Sequence, residues 1–304
     1  MGTVGKIWLL AGIISLALAS QAQAKDMVLQ PTSPWKVNYA DENCDLARTF
    51  GTGADAVALH IIRFVPGDDF QMVLIGEAIE AWTSAHDLRL QFGPSEPVIE
   101  AYLDRATTVD GQKLALLTID SIGGDKSIVK AKKSLGNKDQ NPRKPIDVVN
   151  PYRVTKEREQ AVSRISILGG LLTRITLETG SLGEPMEALR KCNAELLGKW
   201  GIDVEKHRRL SQTAQPIGNP HEWLTWTDYP PHMQDWGKRG FFRFRFTVEP
   251  SGVVSNCTLM QSIMPRQDAQ AICEKLKSRA RFEPALDADG NPIRSFWVRN
   301  ARFI

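Results

Sequence analysis

The chain has 304 residues, 42% hydrophobic and 24% charged, with a formal net charge of +3. That length suits two domains of roughly 100 to 200 residues each. The composition is that of an ordinary globular protein, and so small a net charge does not point to nucleic acid or a membrane surface as a partner.

The first 24 residues stand apart from the rest. Lys6 gives a short positive region, Ile7 to Ala19 is a nearly unbroken apolar run, and Ala22-Gln23-Ala24 places small residues where a signal peptidase reads. This pattern predicts a secretory signal peptide cleaved after Ala24. The apolar core, about 13 residues, falls short of the roughly 20 needed to span a bilayer. A membrane becomes a partner only if this segment is retained as an anchor. No later segment is long and apolar enough to span, so the mature protein is expected to be soluble.

Export decides how Cys44, Cys192, Cys257 and Cys273 are read. None lies in a CxxC pair, which argues against a zinc ribbon or a thioredoxin motif. An even number in an oxidising compartment favours disulfides, and four cysteines allow three pairings.

Residues 31–120 read mainly as strands. Val57, Leu59 and Ile61 alternate with Ala58, His60 and Ile62. A turn at Pro66-Gly67-Asp68-Asp69 follows, and residues 70–75 form the return strand. Residues 88–92 and 114–119 look like further strands of an antiparallel sheet or sandwich. Residues 133–152, with Pro142, Pro145 and Pro151, read as an exposed loop or hinge. A short helix is expected around 155–162 and a strand at 175–178.

A better-signalled helix follows. Ser181 and Glu184 have capping-box spacing, Pro185 sits in the first turn, and Met186, Leu189, Leu196 and Trp200 make an apolar stripe ending at Gly201. Cys192 lies on that stripe, facing the sheet expected to carry Cys44. Residues 209–227, with Pro216, Gly218 and Pro220, read as a linker.

From Asp228 the pattern sharpens. Tyr229-Pro230-Pro231 starts a short helix or turn, and Gly240 opens a strand. There Phe242, Phe244, Phe246 and Val248 alternate with Phe241, Arg243, Arg245 and Thr247, which predicts a half-buried strand. Glu249-Pro250-Ser251-Gly252 is a tight turn. Residues 253–260 pair back, and Ala269, Ile272, Cys273 and Leu276 take helical spacing. Arg281-Phe282-Glu283-Pro284-Ala285 ends the helix, residues 287–290 turn, and residues 295–303 form the last strand.

This β-β-α-β order is similar to the C-terminal domain of TonB energy transducers. The resemblance is carried by Tyr229-Pro230, Gly240, Val248 with Gly252 and Val254, Arg281 with Phe282, Pro284 and Ala285, and Gly290 with Pro292. It covers residues 228–304 only. The expected fold class is therefore α+β: a mainly antiparallel β domain with a C-terminal helix at 25–208, a linker, then the small TonB-like domain. This division selects the pairs Cys44 with Cys192 and Cys257 with Cys273.

The resemblance implies a periplasmic binding module related to TonB-dependent transmembrane transport. Its partner would be an outer-membrane receptor or another envelope protein, captured by strand addition to an open sheet edge. The expected edge is the last strand, Phe296, Trp297, Val298, Arg299, Asn300, Ala301 and Arg302. The chain departs from an energy transducer in its cleavable leader and in the absence of a long Pro-rich spacer, so binding is better supported than force transmission. The alternative is an envelope structural protein that uses the fold to dimerise or to bind peptidoglycan.

Enzyme chemistry finds little footing, and no cofactor or metal is expected. None of the five histidines forms HExxH or an i, i+4 pair, and there is no GxSxG or P-loop. Ser127-Ile128-Val129-Lys130 matches SxxK without its partner motifs. Asp68-Asp69 and Asp287 with Asp289 are read as turn residues rather than cation ligands. His221, Trp223, Trp226 and Tyr229 are read as packing the linker against one domain.

Overall fold

The computed structural model describes residues 26–82, 84, 86–124, 154–234 and 240–303. The expected signal peptide, the Pro-rich loop at 133–152 and the SxxK segment lie outside the described residues. The fold is α+β, with two separate hydrophobic cores.

The first core is built on ten strands. These are β1 (Asp26–Leu29), β2 (Lys36–Tyr39), β3 (Cys44–Phe50), β4 (Val57–Arg63), β5 (Phe70–Ile75), β6 (Asp87–Phe92), β7 (Ile99–Thr107), β8 (Lys113–Ile119), β9 (Ile165–Gly169) and β10 (Arg174–Leu177). They form one sheet in the order β1-β10-β9-β6-β7-β8-β5-β4-β3-β2. Every pairing is antiparallel except β1 with β10.

Alternation does what the sequence predicts in β4: Val57, Leu59 and Ile61 are buried, and the residues between them less so. In β5 both faces are buried from Phe70 to Leu74, which requires a cover on each side. The sheet curls. Beyond β1 the chain crosses to the far end of β3, where Thr32 N–H donates to Thr49 O at 2.9 Å and Gly51 N–H to Gln30 O at 2.9 Å.

Two helices close this unit, α1 (Lys156–Ala161) and α2 (Gly183–Lys199). Met186, Leu189, Cys192 and Leu196 face inward, and the Cys44–Cys192 disulfide ties α2 to β3. The capping box expected at Ser181 and Glu184 does not form. Leu182 holds the N-cap position, and the Ser181 hydroxyl donates to Gln160 O at 2.9 Å. The same oxygen accepts from Gly183 N–H at 3.4 Å, so the hydroxyl bridges the end of α1 and the start of α2. Gly201 stops α2 as predicted, at φ 71°, with Ile202 N–H donating to Leu197 O at 3.1 Å.

After α3 (Val204–His207), whose Val204 packs on the first core, the second unit contains β11 (Gln215–Pro216), α4 (Pro231–Gln234), β12 (Gly240–Val248), β13 (Val254–Ser262) and α5 (Arg266–Arg279). After α5 come β14 (Phe282–Glu283), β15 (Ala285–Leu286), β16 (Pro292–Ile293) and β17 (Ser295–Phe303). The long strands form a sheet in the order β13-β12-β17, all antiparallel. Residues 209–227, expected as a linker, are not a free tether. Leu210, Ala214 and Trp223 belong to the second core, and β11 pairs with β14. Prolines and glycines there shape a packed strap, which composition alone cannot distinguish from a tether.

Candidate functional site

The second core is aromatic. Phe242, Phe244 and Phe246 of β12 point into it, and Trp297 of β17 stacks on Phe246 at 5.8 Å. Trp223 closes it from outside the sheet, 5.6 Å from both Phe282 and Trp297. The aromatic cluster expected near the linker therefore divides. Trp223 and Tyr229 are buried, Trp226 stays 55% exposed against Tyr229, and His221 is exposed. The Cys257–Cys273 disulfide joins β13 to α5.

Several residues that carry the family resemblance meet in space. Gly252, in the β12–β13 turn, has φ 79°, and a Cβ built there would lie 2.0 Å from Phe282 O. Phe282 N–H donates to Gly252 O at 3.1 Å. The turn glycine and the Phe282-Glu283-Pro284-Ala285 segment are thus one contact: the backbone after α5 passes so close to the hairpin that no side chain fits. Gln212 of the strap donates to Pro284 O at 3.3 Å, and Ala285 is fully buried. Tyr229, beside Pro230, is buried next to Asp228, whose carboxylate takes Arg279 at 2.6 and 3.0 Å. Gly240 begins β12 opposite Phe303.

β17 holds all seven residues expected to form the edge, Phe296 to Arg302. It pairs with β12 over nine positions, from Ser295 opposite Val248 to Phe303 opposite Gly240. Among the described residues no strand pairs with its other side. On an antiparallel edge, alternate residues turn N–H and C=O away from the sheet, ready for another strand. Trp297 is buried, Phe296 and Val298 are half-buried, and Arg299 and Asn300 are exposed. Arg299 lies over the Trp297 ring at 4.8 Å.

The other face of β12 corrects the sequence reading. A half-buried strand was expected, yet Arg243, Arg245 and Thr247 are as buried as the phenylalanines between them. The first unit covers them. Arg243 lies over Phe64 at 4.0 Å, and its Nε–H donates to Asn300 of β17 at 2.9 Å. Arg245 lies over Trp200 at 4.0 Å and donates from both Nε and Nη2 to the Glu42 carboxylate at 3.1 to 3.3 Å. Trp200 is itself pinned, its indole N–H donating to Asp41 O at 3.3 Å.

Gln71 of β5 and Gln261 of β13 exchange two amide bonds, at 3.2 and 2.9 Å. This contact supplies part of the second cover that β5 required. Phe296 packs on Trp200 at 5.7 Å and on His207 at 4.9 Å, and His207 Nε2 is 3.0 Å from the Ser295 hydroxyl. Burial has electrostatic consequences. It lowers Arg243 to about 10 and His207 to about 4. It also raises the Glu42 carboxyl against the pull of Arg245.

Other residues singled out by sequence make structural contacts. His60 Nδ1 sits 3.0 Å from both oxygens of Asp45. Asp287 accepts from the N–H groups of Asp289 and Asn291 at 3.0 and 2.9 Å, as a turn residue. Asp68 accepts from Val154 N–H at 3.0 Å. Among the described residues no group of three or more His, Cys, Asp or Glu could hold a metal, and no helix is long and apolar enough to cross a membrane.

Sequence reasoning missed Glu42, Phe64 and His207 as junction residues, and it read Trp200 only as part of the apolar stripe of α2. The available signal was the pair Arg243 and Arg245, two long cations alternating with phenylalanines in a strand of an otherwise aromatic core. No protein-family model matches this chain, and no curated protein matches it.

Proposed function

We propose that this chain is an exported, TonB-like binding module that captures an extended segment of another envelope protein by strand addition to β17. The observation that carries the reading is the edge itself. Nine residues are held in register on one side by β12, with no strand on the other among the described residues. A guest strand satisfies the outward N–H and C=O groups, each new bond contributing about 0.5 to 1.5 kcal/mol net, and alternate side chains supply selectivity. The family resemblance of residues 228–304 points to the exposed terminal segment of an outer-membrane transport receptor as guest, with the periplasm as the compartment. Two disulfides fit an oxidising compartment.

The test is capture of receptor-derived extended peptides by the full chain, repeated with Val298→Pro. Proline removes a backbone donor and disfavours pairing on both sides. Capture lost with Val298→Pro while the melting temperature of the first unit is retained supports the reading. Capture of peptidoglycan, indifferent to that substitution, supports a cell-wall-binding protein instead.

A further inference from the structure

The first unit has no role in strand addition as described so far, yet it grips the very strand proposed to receive the guest. Three alternate residues of β17 lie on the face turned toward it. Phe296 packs between Trp200 and His207. Val298 is the register partner of Arg245, which Glu42 and Trp200 hold. Asn300 accepts from Arg243, which lies over Phe64.

This junction is polar where an apolar one would be simpler. Desolvating two guanidinium groups is unfavourable, and well-packed hydrophobic side chains often hold two surfaces together at least as well. What directional bonds add is a single permitted alignment. The bidentate Glu42–Arg245 contact, the reciprocal Gln71–Gln261 amides and the Arg243–Asn300 bond are each satisfied in one register only.

We infer that residues 26–208 form an intramolecular brace for the binding edge, with Arg243 and Arg245 as positioning residues that hold β17 in the shape a guest strand must match. Without the brace, β17 keeps β12 and the Trp297 anchor, but Phe296, Val298 and Asn300 lose their cover, and a guest must spend binding energy on ordering that face. With the brace, that ordering is already done. The inference builds on the strand-addition reading, and its first measurement does not depend on it.

The experiment uses the full chain with Arg243→Lys, which keeps a cation near Phe64 but removes the Nε–H that bonds Asn300. Site-resolved hydrogen exchange should show protection of the β17 amides bonded to β12 falling on the order of tenfold. Amides of β4 and β5, and the melting temperature, should stay near their original values. Adding Asn300→Asp, which offers the amine a carboxylate, should restore protection. Capture of an extended receptor-derived peptide should weaken by roughly fivefold and recover in the same double variant.

Unchanged β17 protection, or a loss spread evenly through both units, overturns the brace. If the unaltered chain captures peptide but Arg243→Lys leaves β17 protection unmoved, the brace fails and strand addition stands. If the unaltered chain captures no peptide, strand addition fails, and exchange at β17 still decides whether the brace exists.

Discussion

Replacing Gly252 by alanine tests how the second unit is assembled. At φ 79° an alanine costs about 1 to 2 kcal/mol on backbone grounds alone. Its Cβ would then lie 2.0 Å from Phe282 O, a backbone atom with nowhere to retreat. The hairpin and the chain after α5 must separate. That breaks the 3.1 Å bond from Phe282 N–H to Gly252 O, a further loss of about 1 kcal/mol. The total is about 3 kcal/mol or more, a large share of the stability of a small unit. Gly290 provides the control: φ is 81° and a Cβ meets nothing within 4 Å, so its replacement by alanine carries only the backbone cost. Urea unfolding followed by tryptophan fluorescence, with Trp223 and Trp297 as core reporters, measures both. Equal losses for Gly252→Ala and Gly290→Ala would refute the close approach.

Three further outcomes are expected. Replacing Cys257 and Cys273 by serine should cost about 3 kcal/mol and replacing Cys44 and Cys192 about 5, following the sequence separations of 16 and 148. Denaturant midpoints that do not move in either double variant would contradict this. His207 is held at about 4 by burial, below its ordinary value near 6.5. The unfolded chain therefore binds the proton more readily than the folded one. Stability should be full above about pH 6.5 and fall as pH drops toward 4, by at most about 3 kcal/mol. A stability-versus-pH series should show that slope, and His207→Gln should flatten it. At Asp228 the sign is that of a depressed carboxylate, since the Arg279 bonds hold it well below the usual range. Its contribution is present above about pH 4 and lost as pH falls further. Asp228→Asn should cost about 1 to 3 kcal/mol at neutral pH, read by thermal melting.

Period-two and helical patterns carried much of this architecture on their own. The alternation of residues 57–62, the stripe Met186, Leu189, Leu196 and the stop at Gly201 all appear where the residues imply them. So does the edge strand at 295–303, because Phe, Trp and Val between turn residues have few other ways to be buried. What the sequence hid is long-range. Ser181 has the chemistry of a cap, but Gln160, 21 positions away, takes its hydroxyl. Arg243 and Arg245 look like solvent-facing residues of a half-buried strand. Their burial depends on Glu42, Phe64 and Trp200, whose approach no local pattern encodes. The strap at 209–227 has linker composition, and only distant contacts, Leu210, Ala214 and Trp223 in the second core and β11 against β14, make it part of that unit.

The most direct measurement is amide exchange along β17 while an extended receptor-derived peptide is titrated into the full chain. New protection is expected at alternate residues between Phe296 and Arg302, those whose N–H groups point away from β12, saturating with the peptide. Binding that leaves these amides unprotected, or that protects a different surface, would contradict strand addition to β17.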